Sequence, residues 1–270
     1  MTYNEKNNLY IYSYIDIALE NNHLKIRVLS YNIHRAIGFD RRFKPKRIID
    51  ILRGHDADIV LLQEVDEGVP RSRELKLAKE IADALDYPHY AMGHNVSLRK
   101  GWYGNATLSR FPILRERNID LTVGNRKRRG CQHTTIDIKE GKHILDVFNL
   151  HLGLSARERQ KQAGILARSN EYESLDMDNP CLIGGDFNDW RSLLRALFIE
   201  GLEFNCATDK NNTSGLPKAL KTFPSFAPRG GLDRLYYRGG LKLVSAKRCR
   251  YKASKIASDH LPIITDFELR

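Results

Sequence analysis

Apolar residues along this chain fall into short runs, and many of these runs end at a polar residue. Runs of about four to eight positions, alternating or continuously apolar, are typical of β-strands. They predict strands at Ile26–Ile33, Asp58–Val65, Tyr103–Ser109, Thr134–Ile138, Ile144–Leu150, Pro180–Ile183, Leu232–Tyr237, Leu241–Ala246 and Ile263–Phe267. The polar residues that close these runs are the candidates for a functional site.

Other segments carry their apolar residues at helical spacing. Proline suits the first turn of a helix, and a serine followed three residues later by glutamate, as at Ser155 and Glu158, matches a capping box. These signals predict helices beginning at Pro45, over Glu74–Leu85, from Ser155 to about Leu175 and over Ser192–Ile199. The segment Asp209–Pro228 is rich in Asn, Gly, Pro and Lys, which indicates a long loop.

The central stretch is Leu182–Trp190, where an apolar run meets a glycine pair and then Asp186 and Asn188. On an extended segment two such side chains leave from the same side, so a carboxylate and a carboxamide could reach a hydrated metal ion and a phosphate. Asp and Asn after a strand are also ordinary turn and capping residues. On this stretch alone the structural interpretation is favoured.

The same design recurs at other predicted strand ends. The polar residues there are Asn32, Glu64, Asn105, Asn149, His151, Asp186, Asn188, Asp233, Asp259 and His260. Singly, each could be a cap, a turn residue or a satisfied interior histidine. Together they are carboxylates, carboxamides and imidazoles, the set expected for an oxygen-ligated cation and a water molecule that attacks phosphorus.

The chain is strongly basic: 44 lysines and arginines against 33 aspartates and glutamates give a formal net charge of +11 over 270 residues. This favours polyanionic partners, which are nucleic acid, anionic lipid or a phosphorylated small molecule. Basic clusters lie at 41–47, 126–129 and 247–252. The first and third are expected to be solvated loop surface. Arg128 and Arg129 precede a strand expected to border the site, so they are expected to bind phosphate.

The four cysteines are widely spaced and form no CxxC pair, which indicates free thiols in a reducing compartment. No signal peptide or membrane span is recognisable, so a soluble, cytoplasmic protein is expected. Its length suits one large domain. We expect a peripheral extension over 1–24, a catalytic domain over 25–270 and a monomer.

Seven ordered motifs make the chain resemble the endonuclease/exonuclease/phosphatase superfamily, the group related to deoxyribonuclease I. They are LSYNIH, LLQEV, YGNATLSRFPI, FNLHL, GGDFND, LDRLYY and SDHLPI, and they span about residues 26–268. The resemblance implies an α/β fold, a four-layer α/β sandwich of two packed mixed β-sheets flanked by helices. This agrees with the strands and helices predicted above.

The resemblance also implies a role for each residue. Glu64 would be the principal ligand of Mg²⁺, which Mn²⁺ could replace, with Asn32 and Asp259 beside it. Asp186 would activate the attacking water. The other implied catalytic residues are Asn188 on that water, His260 polarised by Asp233, His151 as second imidazole and Asn105 as orienting residue. Asn149 would help to orient the phosphate.

FNLHL stands where abasic-site endonucleases have a YxPN-type element, so that activity is less expected. The favoured hypothesis is a Mg²⁺-dependent phosphodiesterase or nuclease acting on nucleic acid, in DNA cleavage or DNA-end processing. A second keeps the chemistry but takes a phospholipid or inositol phosphate as substrate. A third is a non-catalytic polyanion-binding scaffold, which the intact set of Glu64, Asp186, Asp259 and His260 argues against.

Overall fold

Two six-stranded β-sheets form the centre of the computed structural model, which describes residues 24–210 and 218–269. The first 23 residues, which hold nearly all of the expected extension, lie outside this part. The strands are β1 (Leu24–Asn32), β2 (Ile59–Glu67), β3 (His89–Ser97), β4 (Trp102–Ser109), β5 (Ile113–Asp120), β6 (Gly130–Asp137), β7 (Ile144–His151), β8 (Cys181–Asp186), β9 (Asn205–Cys206), β10 (Asp209–Lys210), β11 (Lys218–Ala219), β12 (Asp233–Arg238), β13 (Leu241–Arg248) and β14 (Ile263–Leu269).

Each large sheet is mixed, with one parallel pair at its centre. Sheet 1 has the order β13-β14-β1-β2-β4-β3, and sheet 2 has the order β5-β6-β7-β8-β12-β9. β1 and β2 are parallel in sheet 1, and β7 and β8 are parallel in sheet 2. The carboxyl ends of parallel neighbours meet at one edge of their sheet. This edge of each sheet therefore carries the polar residues that close the apolar runs.

Helices cover the outer faces of the two sheets. They are α1 (Pro45–His55), α2 (Leu77–Ala84), α3 (Ala156–Ala167), α4 (Asn170–Glu173) and α5 (Ser254–Ala257). Apolar residues of α1 and α2 pack on sheet 1, and those of α3 and α4 pack on sheet 2. The expected four-layer α/β sandwich is confirmed. No helix in the described ranges is long and apolar enough to cross a membrane.

Strand periodicity explains the three apolar layers. In β2, Val60 and Leu62 face the helices while Ile59 and Leu61 face the other sheet, and all four are fully buried. Strands buried on both faces have apolar residues at consecutive positions, as the sequence shows for β2 and β7. The central strands were predicted correctly because burial on both faces requires apolar residues at consecutive positions.

Three predicted elements differ in the structure. The helix expected from Ser155 to about Leu175 ends at Ala167, because Ser169 caps a new short helix by accepting a hydrogen bond from the Tyr172 amide. The region expected to be helical over Ser192–Ile199 instead holds a π-helical turn at Leu197–Gly201. In the expected loop, β10 pairs with β11, while residues 211–217 lie outside the described part.

Two of the edge strands, β3 and β5, were not predicted from the sequence although each is eight or nine residues long. Both lie at the outer end of a sheet, and β5 exposes most of its residues. An edge strand with little buried surface needs no apolar alternation, and charged residues on it protect against edge-to-edge association. The signal that found the central strands is therefore absent from these two.

Buried amides join the two sheets. The Asn149 amide nitrogen donates to the carbonyls of Leu62 and Ala106, at 3.1 and 2.9 Å, and its oxygen accepts from Gln63 Nε2 at 2.8 Å. Asn105 Nδ2 in sheet 1 donates to the carbonyls of Asn149 and Gly130 in sheet 2, at 3.0 and 3.2 Å. These bonds fix the relative position of the two sheets beside the polar edge.

The variant Asn149→Leu tests this junction. It keeps a similar volume but leaves two buried carbonyls without their side-chain donor and removes one of the acceptors of Gln63 Nε2, which keeps its bond to the Leu61 carbonyl. Since each unsatisfied buried group costs about 1–3 kcal/mol, we expect the free energy of unfolding to fall by at least about 3 kcal/mol in urea denaturation. The control Asn205→Leu, at an exposed position, should change it by less than about 0.5 kcal/mol. Equal stability of the two variants would contradict the structural role of Asn149.

Candidate active site

The polar strand ends meet where the corresponding edges of the two sheets face each other. In sheet 2, His151 and Asp233 each lie opposite Asp186 in the strand register, on either side of β8. In sheet 1, Asn32 ends β1 opposite Gln63, the neighbour of Glu64. The fold thus brings together residues that are up to about two hundred positions apart, as the sequence analysis expected.

Asn32 connects the two halves of the site. Its amide nitrogen lies 3.0 Å from Asp186 Oδ2 in sheet 2 and 3.4 Å from Glu64 Oε1 in sheet 1. Its oxygen accepts from the His34 backbone amide at 3.0 Å, which fixes the orientation of the carboxamide. The predicted water-activating carboxylate and the predicted metal ligand are therefore both within reach of one amide group.

Glu64 reaches this position through a local distortion of β2. The register with β4 shifts between Leu62 and Val65, and Glu64 adopts a left-handed backbone with φ of 58°. A non-glycine residue at positive φ is strained, and such strain is concentrated at functional sites. Arg35 Nε lies 3.6 Å from Glu64 Oε2. The bulge turns the carboxylate towards the polar edge instead of the core.

His260 is held as a cation between two carboxylates. Its Nδ1 lies 2.8 Å from Asp233 Oδ2, and its Nε2 lies 3.6 Å from Asp186 Oδ2. Burial by itself would lower the pKa of His260, but the charges of Asp233 and Asp186 outweigh it and raise the pKa to about 10. The Thr222 hydroxyl also donates to Asp233. The imidazolium can therefore donate a proton or a hydrogen bond.

Asp186 and His151 are shifted in ways that keep both usable near neutral pH. Burial raises the pKa of Asp186 to about 6, partly offset by His260 and by the hydrogen bond from the Asn188 amide. Burial, followed by the charges of Arg129 and His260, lowers the pKa of His151 well below its usual value. His151 is thus a neutral imidazole, with Nε2 3.4 Å from Asp186 Oδ2.

Two groups of side chains could be considered for a metal ion. Ligand atoms of Asp186, Asp233 and His260 lie within 4.8 Å of one another. A protonated imidazole cannot ligate, however, so this trio suits proton transfer better than metal binding. Glu64, Asn32 and Asp259 offer oxygen atoms, which a hard divalent cation prefers. Ser258 Oγ links two of them, at 2.7 Å from the Asn32 carbonyl and 3.3 Å from Asp259 Oδ1.

The structure corrects the expected phosphate contact of Asn149. The side chain is fully buried, and both of its amide hydrogens are used for the carbonyls of the opposite sheet. A phosphate oxygen needs a donor, and Asn149 has none left. Asn105 likewise uses both hydrogens for backbone carbonyls. These two amides position the strands of the site and have no donor for a substrate.

Asn188 differs from expectation, and Arg128 and Arg129 differ from each other in burial. Asn188 does not continue an extended segment, since its φ is 50°. Its side-chain nitrogen Nδ2 donates to the Leu152 carbonyl at 3.0 Å. Its position thus comes from a turn around Asp186. Arg128 is exposed, whereas Arg129 is buried with Nε lacking a hydrogen-bond partner. The charges of Arg129, His260 and Lys127 all act on His151, whereas that of Arg128 is not among them.

Sequence reasoning missed several residues that shape the site. Arg35 contacts Glu64, Thr222 donates to Asp233, and the Phe223 ring lies 4.9 Å from the His260 ring. The Tyr103 ring has two cations over it, Arg71 at 5.6 Å and Lys127 at 5.4 Å from its centre. Thr222 and Phe223 lie in the expected loop Asp209–Pro228, and no local pattern marks them as contacts of the site residues.

Comparisons with known proteins agree with this geometry. Residues 29–260 match the Endonuclease/Exonuclease/phosphatase family. The chain is 30% identical over 254 residues to the uncharacterized protein YbhP of Escherichia coli K12, covering 90% of this chain and 96% of that protein.

Two solved structures share the fold. The human Nocturnin catalytic domain with bound sulfate has a TM-score of 0.72 at 21% identity, with 92% of this chain and 96% of that chain covered. The mannosyl-6-phosphatase Bt3783 of Bacteroides thetaiotaomicron has a TM-score of 0.67 at 19% identity, with 90% and 99% covered. The chain belongs to the endonuclease/exonuclease/phosphatase family, whose members are hydrolases of phosphate esters and generally depend on a divalent metal.

Proposed function

We propose that this enzyme is a Mg²⁺-dependent phosphodiesterase that cleaves its substrate by attack of a water molecule on phosphorus, with nucleic acid as the favoured substrate. The observation that carries the proposal is the position of the Asn32 side-chain amide. This amide contacts Asp186 of one sheet and Glu64 of the other, and Asp186 in turn lies next to the His260 cation. A base, a cation ligand and a proton donor thus surround one small space.

Asp186 is the base in this scheme. Its Oδ2 atom faces Asn32, His151 and His260, so a water in the same space can pass a proton to this carboxylate. The raised pKa makes Asp186 a stronger base than an ordinary aspartate while leaving it largely ionised at neutral pH. Water oxygen then bonds to phosphorus as the bond to the leaving oxygen breaks.

The two imidazoles donate hydrogen bonds to the phosphate. His260, charged and oriented by Asp233, donates to a non-bridging oxygen as negative charge develops there. His151, being neutral, offers one N–H group to the same phosphate. Asn188 lies beside the attacking water, and Arg129 adds positive charge near His151. The leaving oxygen takes its proton from solvent or from His260.

Glu64, Asn32 and Asp259 are the residues that would hold the cation, and their oxygen donors suit Mg²⁺, with Mn²⁺ as a substitute. When bound, such an ion lowers the charge repulsion between water and phosphate and stabilises the leaving oxygen. Ser258 keeps Asp259 next to Asn32, and the β2 bulge keeps Glu64 at the edge. The chain contributes orientation, a base and a proton donor.

A basic groove away from the catalytic residues supports nucleic acid as substrate. A cavity of about 420 Å³ is lined by Lys210, Lys218, Lys221, Lys247, Arg248 and Arg250, and none of the described residues that line it is acidic. The third basic cluster, expected to be solvated loop surface, thus contributes to a concave surface along β13. A groove that concentrates positive charge fits the backbone of a nucleic acid.

An apolar rim supports a phospholipid or another phosphorylated amphiphile as the second candidate. Phe39 and Phe226 are 47% and 57% exposed, and the centres of their rings are 5.0 Å apart. Trp190 is 55% exposed, and its ring lies 5.5 Å from Phe223, the neighbour of His260. Large exposed apolar side chains beside a catalytic site are typical of an interaction surface.

Asp186→Asn and His260→Ala test the chemistry. Each should lower kcat on bis-p-nitrophenyl phosphate with Mg²⁺ by at least about a thousandfold, because a base or a charged donor is lost from the transition state. Thermal unfolding shows whether each variant remains folded. Lys142→Ala, an exposed change on the β6–β7 turn, is the control and should retain parent activity. Parent activity in either folded active-site variant would refute its assigned role.

Asp233→Asn tests the electrostatic support of His260. The raised pKa keeps His260 protonated, so activity should be lost only as the pH rises towards about 10. Without the Asp233 charge the pKa falls, and the alkaline limb of the kcat/KM profile should move by at least about one pH unit towards neutrality. The acidic limb, set by Asp186 near pH 6 in the parent, should move to lower pH, because the Asp233 charge contributes to the raised pKa of Asp186. An unmoved alkaline limb would contradict the pairing.

The two substrate classes separate in a direct comparison. We expect the parent enzyme to cleave single- or double-stranded DNA with Mg²⁺, to lose this activity in EDTA, and to leave phospholipid vesicles intact. Lys218→Ala combined with Arg250→Ala should weaken DNA cleavage without changing turnover of bis-p-nitrophenyl phosphate. Cleavage of lipid headgroups without DNA cleavage would favour the second candidate instead.

A further inference from the structure

A group of cations surrounds Tyr103 at one side of the catalytic pocket. Lys127 Nζ lies 5.4 Å from the centre of the Tyr103 ring, and Arg71 Cζ lies 5.6 Å from it. Arg35 is next to this ring, since its guanidinium lies against Glu64, and Glu64 also interacts with the Tyr103 hydroxyl. Four elements of the chain thus contribute to one small region.

The strand register places this region beside the reacting centre. Cys131 of β6 lies opposite Leu150 of β7, so the residues just before β6 lie next to His151. Tyr103 of β4 lies opposite Asp66 of β2, two residues beyond Glu64. A ligand held between Lys127 and Arg129 therefore borders both the imidazole and the predicted metal ligand. The region continues the catalytic pocket along the β4 and β6 side.

Charge in this region is only partly balanced. Arg71 is neutralised by Asp66, which accepts two hydrogen bonds at 2.7 and 2.8 Å. Among the residues that the structure describes, Glu64 is the one carboxylate that pairs with Arg35. Within the described ranges, no carboxylate pairs with Lys127 or Arg129. Arg129 is 94% buried, as its relative exposure is 6%, and its Nε has no hydrogen-bond partner.

An unpartnered guanidinium in the interior costs free energy unless an anion compensates for it. Burial and the neighbouring charge of Arg129 also lower the pKa of Lys127, although its side chain remains exposed. Arg129 is thus the buried cation of this region, and Lys127 is the cation that solvent can reach. Arginine and lysine at such a site favour phosphate, which accepts several charge-assisted hydrogen bonds.

We propose that Arg35, Lys127 and Arg129, grouped around Tyr103, bind a second phosphate group of the substrate, next to the one that is cleaved. This rests on the proposed phosphodiesterase function and narrows its substrate class to molecules with at least two phosphates. In an oligonucleotide the second group is the adjacent phosphate of the strand. In a small molecule it is the other phosphate of a bisphosphate.

Lys127→Ala is the test, because the side chain is exposed and its loss leaves the buried residues in place. The substrates are dithymidine with a 5′-phosphate, with a 3′-phosphate or with neither, and an inositol bisphosphate paired with an inositol monophosphate. Bis-p-nitrophenyl phosphate reports the basic reaction. Arg126→Ala is the matched control, since it removes the same charge from an exposed position of the same loop.

The proposal predicts that Lys127→Ala raises KM about tenfold for at least one substrate with a second phosphate, at unchanged kcat. KM for the matching substrate without it should change less than about twofold, as should KM for bis-p-nitrophenyl phosphate. Arg126→Ala should behave like the parent. An effect confined to one phosphorylated dithymidine identifies a nucleic acid strand, and one confined to inositol bisphosphate identifies a small bisphosphate.

Equal effects on all substrates, or no effect on any, would overturn the second-phosphate site, as would the same selective effect in Arg126→Ala. The proposed function fails in a different way, namely if the parent hydrolyses none of these phosphate esters. A parent that turns over bis-p-nitrophenyl phosphate but does not distinguish substrates with and without the second phosphate refutes this inference alone.

Discussion

The hydrogen bonds of the Asn32 amide are the interaction on which the site depends. One nitrogen, 3.0 Å from Asp186 and 3.4 Å from Glu64, spans the boundary between the two sheets, which also meet through apolar side chains and the buried amides of Asn105 and Asn149. A polar group buried at this boundary needs partners, and here the partners are two carboxylates. The same bonds that satisfy Asn32 bring the proposed base and the proposed cation ligand together.

Several features of the surrounding structure hold this contact in place. The parallel pairs β1–β2 and β7–β8 place their carboxyl ends at the facing edges, and the amides of Asn105 and Asn149 keep the sheets aligned behind them. The β2 bulge turns Glu64 outward, and Asp233 holds His260 as a cation. The proposed catalytic residues are thus positioned by buried neighbouring side chains.

Much of this arrangement is encoded in local patterns. Strands buried on both faces, such as β2 and β8, are recognisable from their continuous apolar runs. The ordered motifs contain the polar residues that lie together at the edge of the sheets. The sequence could not separate substrate contacts from positioning groups, because Asn149 and Asn188 look alike until their hydrogen bonds are known. Arg35 and Thr222 act through three-dimensional contacts only, and the edge strands β3 and β5 lack a pattern altogether.

The assignment of the cation site is the central claim, since two side-chain groups compete for it. Anomalous diffraction from crystals soaked in Mn²⁺ tests it most directly. The account predicts a peak within about 2.5 Å of a Glu64 carboxylate oxygen, near Asn32 and Asp259. A single peak among Asp186, Asp233 and His260, with none at Glu64, would contradict it, because the proposed base and proton donor would then be metal ligands.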